Sequence, residues 1–174
     1  VWAGAVVKAV QYQAGQFTIH LKSGHQFQAD RLLLATGSNP QGYAIAQALG
    51  HALQTPVPSL FTFNVRDRRL QDLAGVSVNP AQLKLVAGPH TFEQTGPLLI
   101  THWGLSGPAV LKLSAWAARA LHDQDYQATL KINWLPQSNP ETMRQQFQSV
   151  RSQLAHKTAI ANCPVPVPRR LWEK

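Results

Sequence analysis

A single cysteine, Cys163, is present among 174 residues, so no disulfide can form within the chain. It stands beside Pro164 with neither His nor Cys at metal-ligand spacing. It therefore reads as a structural thiol in a reducing, cytoplasmic compartment. No apolar run approaches the length that crosses a bilayer, and no basic-then-apolar leader with a small-residue cleavage site is present, which predicts a soluble protein with no membrane partner. Missing as well are a Gly-x-Gly-x-x-Gly fingerprint, a Walker loop with its Lys, a Gly-x-Ser-x-Gly elbow and any His-x-x-x-His pair. These absences remove a dinucleotide cradle, a phosphate loop, a hydrolase nucleophile and a zinc helix from this stretch of chain. Acidic residues are also scarce, eight against sixteen Lys and Arg, for a net charge of +8. The cations are scattered, however, and the closest clusters are Arg66-Asp67-Arg68-Arg69, which contains an acid, and Arg169-Arg170. No stripe of basic and aromatic residues argues for direct nucleic-acid binding. Position 1 lacks a Met, and Val1 falls almost inside a strand, which suggests a piece of a longer protein.

What is present centres on Gly96 to Leu121. Leu98, Leu99 and Ile100 suit a short buried strand, and Val110, Leu113, Ala117 and Leu121 then recur at helical spacing with Lys112 and Arg119 off the stripe. The joint is Thr101-His102-Trp103-Gly104-Leu105-Ser106-Gly107-Pro108. Two glycines permit a sharp turn, Ser106 can accept from the first free amides of the helix, and Pro108 suits the first helical position. Such a corner can direct helix amides outward at an anion or an electron-rich oxygen. It can equally be a plain corner, and the local residues leave both readings open.

Around it the chain divides by pattern. Ala5 to Val10, the alternating Phe17, Ile19 and Leu21, and His25 to Ala29 predict a β-meander. Asp30 to Gly37 reads as a continuous apolar strand of a parallel sheet, with Thr36 and Gly37 at the carboxyl end, where ligands of such sheets sit. Gly42 to Gly50 reads as a helix. From Thr55, short strands at Pro56 to Pro58, Leu60 to Val65, Gly75 to Val78, Leu83 to Val86 and Thr91 to Gln94 predict an antiparallel barrel or sandwich, closed by Tyr126 to Leu135. Asn139-Pro140-Glu141 opens a helix whose stripe is Met143, Phe147, Val150 and Leu154. Pro164 to Pro168 must be extended, and Arg169 to Trp172 reads as one helical turn.

Thr101-His102-x-Gly104-Leu105-Ser106-Gly107-Pro108, followed by an Ala-Val-Leu helix and a Ser, resembles the signature of the HI0933-like NAD(P)/FAD-dependent flavoproteins. Further landmarks occur in the family's order: Ala35-Thr36-Gly37, Gly42-Tyr43-x-x-Ala46, Gly50-His51, Pro58-Ser59-Leu60 and Leu73-x-Gly75-x-Ser77. One departure stands at Ser38-Asn39-Pro40-Gln41-Gly42, where the family has a second glycine and a longer Gly-rich loop. The resemblance implies an α+β fold: a fragment of a two-dinucleotide-binding-domain FAD protein carrying an inserted small antiparallel β-barrel and a helical segment. Residues 1–54 would be a remnant of the FAD domain, 55–135 the barrel with one helix, and 136–174 the start of the helical insert. It further implies FAD near Thr36, Gly37 and the backbone of Val7, the Ser106-Gly107 corner near the reacting group, and NAD(P)H as an electron donor. His102 would hold a substrate carbonyl or assist proton transfer, or else brace the turn. The partners implied are the rest of the FAD domain and a small-molecule substrate of unknown identity, and the fragment by itself would be inactive, without stable FAD binding. Beside this stands a second class, a non-enzymatic basic β-barrel module for RNA or a protein partner.

Overall fold

The computed structural model describes residues 2–153, 158 and 160–174; Val1 and Leu154, used in the sequence reading, lie outside them. The chain forms two compact units, one ending at Pro56 and the other running from Val57 to Lys174.

In the first unit, β1 (Val7–Gln13), β2 (Gln16–Leu21) and β3 (Gln26–Ala29) form an antiparallel meander in the order β1-β2-β3. Ala14 and Gly15 connect β1 to β2 with φ of 49° and 84°, the positive pair that a two-residue hairpin turn needs to match strand twist. Val10 and Leu21 are buried. Helix α1 (Pro40–Ala48) begins two residues earlier than the apolar spacing predicts. Asn39 explains this: its side-chain oxygen accepts from the Gln41 amide at 2.9 Å, and Pro40 fills the first helical position. The supposed loop is thus a helix cap. At the other end Gly50 donates to Gln47 and His51 to Ala46, closing the helix with Gly50 in the left-handed conformation.

One expected element does not form. Asp30 to Gly37 contains no strand, and Leu33 is 87% exposed. A strand covered on both faces exists only through its neighbours' ladders, and no described strand pairs with this segment.

The second unit is built on a five-stranded antiparallel sheet of β4 (Phe63–Asn64), β5 (Ser77–Ala87), β6 (His90–Ile100), β7 (Gly104–Ser106) and β8 (Thr129–Asn133), ordered β4-β7-β6-β5-β8. Sequence patterning divides β5 and β6 into several short strands. They are instead one hairpin of two 11-residue strands. A register shift between Val78 and Ala81 absorbs Asn79-Pro80, and beyond it Ala81, Leu83, Leu85 and Ala87 keep facing the core. Pro56 to Pro58 forms no strand, and only Phe63 and Asn64 of the Leu60–Val65 stretch are paired.

Helices α2 (Pro108–Trp116) and α3 (Ala118–Asp123) supply the other half of the core. The anticipated single helix breaks at Ala117, whose ψ of 1° leaves the helical region. Val110, Leu113, Ala117 and Leu121 nevertheless stay on one face, each at most 3% exposed, while Lys112 and Arg119 remain outside. Fully burying one such leucine contributes about 1.5–3 kcal/mol. The sheet does not close: β4 and β8 are its two edges, and between them runs an open seam of about 720 Å³ lined by Phe61, Phe63, Leu85, Leu121, Tyr126 and Leu130. The architecture is therefore α+β, with antiparallel sheets and a half-barrel.

Helix α4 (Pro140–Gln153) starts where Asn139 accepts from Glu141 at 2.7 Å. Its apolar stripe buries no residue completely; Phe147 stacks on Trp172 of α5 (Arg169–Trp172), with ring centroids 6.0 Å apart and planes 14° from parallel.

Candidate functional site at the strand-to-helix corner

The corner is assembled by backbone approach. Thr101 donates to the Gly104 carbonyl at 2.8 Å, and Val65 donates to Trp103 at 3.1 Å, which draws the end of β4 against the turn. A Cβ on Gly104 would stand 2.1 Å from the Phe63 carbonyl oxygen, so only glycine permits this approach. Leu105 then plunges into the core, and Ser106 pairs with Leu99. At Gly107 φ is 99°, and a Cβ would lie 2.9 Å from the Pro97 oxygen and 3.0 Å from the Leu99 nitrogen. Packing alone accounts for this glycine.

Two expectations for the corner change. Ser106 belongs to β7 and does not cap the helix; the cap position is Gly107, which offers no side chain. Nor do the helix amides open outward. Pro108 has none, and the next two residues, Ala109 and Val110, are 1% and 0% exposed. Their buried position leaves no room for an anion at the helix start.

His102 is exposed on the outer side of the same turn. It lies between two adjoining hollows. One, of about 370 Å³, includes Arg66, Arg68, Gln71 and Thr101; the other, of about 580 Å³, includes Asp72, Ala74 and Arg170 and shares Thr101 and Gln71. The Thr101 hydroxyl is shut away from solvent and has no hydrogen-bond partner among the described residues. A buried hydroxyl left unpaired is costly, which marks Thr101 as a locally unfavourable point in the wall of both hollows.

Sequence reading discounts the Arg66–Arg69 cluster because of its acid. In the structure Asp67 caps the short 3-10 turn Arg68–Leu70, accepting from the Arg69 amide at 2.9 Å and from the Arg69 guanidinium at 2.6 Å. Those bonds, the side-chain one foremost, hold the Asp67 carboxyl down at about 2 from an ordinary 3.8, and they raise Arg69. The carboxylate is thus engaged by Arg69, and it makes no ion pair with Arg66 or Arg68. A second residue missed by the sequence reading is Ser114, the serine of the signature. It is 0% exposed, accepts from the Phe61 amide at 3.0 Å and donates to Leu111 at 2.9 Å, tying α2 to the segment that enters β4.

Of the other residues singled out, Thr36 and Gly37 occupy an exposed turn of the first unit, with Gly37 at φ 59° and nothing within 4 Å of where a Cβ would stand. The Thr36 hydroxyl, however, faces α1, where a Cβ on Gly42 would fall 1.9 Å from it. The Val7 carbonyl accepts from the Gln41 side-chain amide, occupying part of the backbone assigned to adenine. Ser106 and Gly107 line neither hollow beside His102. Among the described residues no helix is long and apolar enough to cross a membrane, and no group of His, Cys, Asp and Glu could hold a metal ion.

Comparison with known proteins adds a family and three relatives. The model of the HI0933-like protein barrel and H2TH domain matches residues 57–174. The 3-dehydro-bile acid delta(4,6)-reductase of Clostridium scindens is 29% identical over 157 residues, covering 86% of this chain and 38% of that protein. The ribosomal RNA dihydrouridine synthase of Haemophilus influenzae is 34% identical over 133 residues, 68% of this chain and 32% of that protein. Its namesake in Escherichia coli is 31% identical over 170 residues, 91% and 38% respectively. The chain thus spans well under half the length of each relative.

Proposed function

Because the chain belongs to the HI0933-like family, we propose that it is the central portion of an FAD-dependent reductase that saturates a ring carbon–carbon double bond conjugated with a carbonyl. What carries this reading is the chemistry common to the relatives' names. A 3-oxo steroid with Δ4,6 unsaturation and the uracil ring of uridine are different molecules, yet each presents a C=C bond polarised by a nearby C=O, and each reduction adds a hydride and a proton across it.

In such a parent the bound flavin supplies the hydride. This chain's own residues would do the rest. The backbone at Thr36 and Gly37, with Val7 beside it, would contact FAD, and the corner carrying Ser106 and Gly107 would shape the site. His102 would hold the substrate carbonyl by hydrogen bonding or deliver the proton that follows hydride addition. NAD(P)H would reduce the flavin between turnovers, and the remaining FAD-binding segments would come from the full-length protein. We take the parent to be cytoplasmic.

Uridine within RNA is the substrate class we favour, because the folded unit gathers charge that is scattered in sequence. Arg66, Arg68, Arg69, Lys131, Arg170 and Lys174 line three adjoining hollows that contain only two carboxylates, Asp67 and Asp72, a local excess of +4 out of a total of +8. Linear charge spacing does not reveal this gathering. A small ring enone is the second reading, supported by the apolar seam beside Phe61, Phe63 and Tyr126.

The test is the visible spectrum of the full-length protein. A yellow protein, bleached anaerobically by NADPH and reoxidised by uridine-containing RNA, is expected. A colourless product after gentle purification would end the flavin reading, and reoxidation only by a steroid enone would select the small-molecule one. His102→Ala should slow reoxidation by substrate while leaving bleaching by NADPH intact.

A further inference from the structure

We infer that the hollow bounded by Arg66, Arg68, Thr101 and His102 is a phosphodiester-binding site that anchors the backbone of an RNA substrate; the inference rests on the RNA reading above. Four observations converge on it. Arg66 and Arg68 are exposed, lie on the segment that leaves β4, and their guanidinium groups have no hydrogen-bond or ion-pair partner among the described residues. The one carboxylate of that hollow, on Asp67, is already engaged by the Arg69 side chain and amide. Across the shared wall Arg170 is fixed by donating to the carbonyls of Asp72 and Ala74, which holds a third guanidinium at the rim. Thr101 and His102 line both hollows and join them into one wall.

Planar guanidinium forks bind phosphate oxygens bidentately. Such contacts fix the register of a nucleic acid without reading its bases. In single-stranded or looped RNA the bases are free to splay out, so one anchored phosphate would constrain where a neighbouring base can reach. His102 stands on the wall common to both hollows. An anchored backbone would therefore run beside the one side chain of this corner that we assign to the substrate carbonyl.

The experiment uses the full-length flavoprotein and a fluorescein-labelled single-stranded RNA of mixed sequence. Anisotropy titrations at several salt concentrations compare wild type, the Arg66→Gln/Arg68→Gln double variant and a Lys84→Gln/Arg144→Gln control. Lys84 and Arg144 lie on the hairpin and on α4 and line none of these hollows. The site variant should bind roughly tenfold more weakly near 0.1 M salt, with the slope of log affinity against log salt shallower by about 0.7, the release expected for one lost single-strand phosphate contact. Its flavin spectrum and its rate of bleaching by NADPH should match wild type. Wild-type protein that fails to bind RNA overturns the substrate reading and the site with it. Binding that is equally weakened in the control, or unchanged in the site variant, overturns the site alone. Loss of flavin or slower bleaching in the site variant would assign the arginines to a cofactor phosphate and equally refute the proposal. Arg68→Lys, which keeps the charge but loses the fork, should recover the salt slope and only part of the affinity.

Discussion

Replacing Ser114 by alanine is the most direct probe of how the corner is held. The hydroxyl lies in a fully buried position where it receives the Phe61 amide and donates to the Leu111 carbonyl. The Leu111 carbonyl keeps its bond within α2, so its loss is small. The Phe61 amide has no such alternative. Leaving a buried donor unpaired costs about 1–3 kcal/mol, and because Phe61 is only half-buried and some water can reach it, the lower half of that range, roughly 1–2 kcal/mol, is expected. For a unit of this size that corresponds to a fall in Tm of roughly 4–8 °C. Global stability is measured by urea denaturation of the chain, and the local effect by hydrogen exchange. The Phe61 amide should lose protection well beyond the global change, whereas amides of the β5–β6 hairpin should follow the global change only. Destabilisation below about 0.5 kcal/mol together with unchanged protection at Phe61 would refute the assignment of Ser114 as the tie between α2 and β4.

Other perturbations give sharper or smaller effects. Gly107→Ala combines a φ of 99° with a Cβ 2.9 Å from the Pro97 oxygen, so it should destabilise the second unit by about 2 kcal/mol or more, visible as a lowered urea midpoint with an unchanged m-value. Gly42→Ala would drive a methyl group into the Thr36 hydroxyl and should disturb the Thr36-Gly37 turn; chemical shifts of those two amides should move while those of β2 stay fixed. The Asp67 carboxyl titrates in the folded chain near 2 rather than 3.8, so its contribution to stability is present above pH 3.8 and is lost as pH falls through 2. Carboxyl chemical shifts followed through an acid titration should give that midpoint, and Arg69→Gln should return it toward the ordinary value.

The helical stripe of Val110, Leu113, Ala117 and Leu121 is legible in the sequence because a period of 3.6 survives even the break at Ala117. The signature glycines are legible as a corner, and their positive φ bears that out, but the sequence carries only part of the reason for them. Their identity follows from the approach of Phe63 and Pro97, residues whose proximity no local pattern encodes. Pro80 and Pro97 read as strand breaks, whereas a shift of register lets one long hairpin carry both. The Asp30–Gly37 stretch shows the opposite failure. Its composition suits a buried strand, but strand formation depends on neighbours that no described residue supplies. The cationic hollows were invisible for a simpler reason: Arg170 and Lys174 reach Asp72 and its surroundings from about a hundred positions away in the chain.

The bared leucines between Arg31 and Ala35 carry a practical consequence. A stretch of free backbone donors and acceptors flanked by greasy side chains will zip onto any similar stretch it meets, including the same stretch of another molecule. Concentrated samples of this chain alone should therefore self-associate through Leu33 and Leu34, and Leu33→Lys should keep them dispersed.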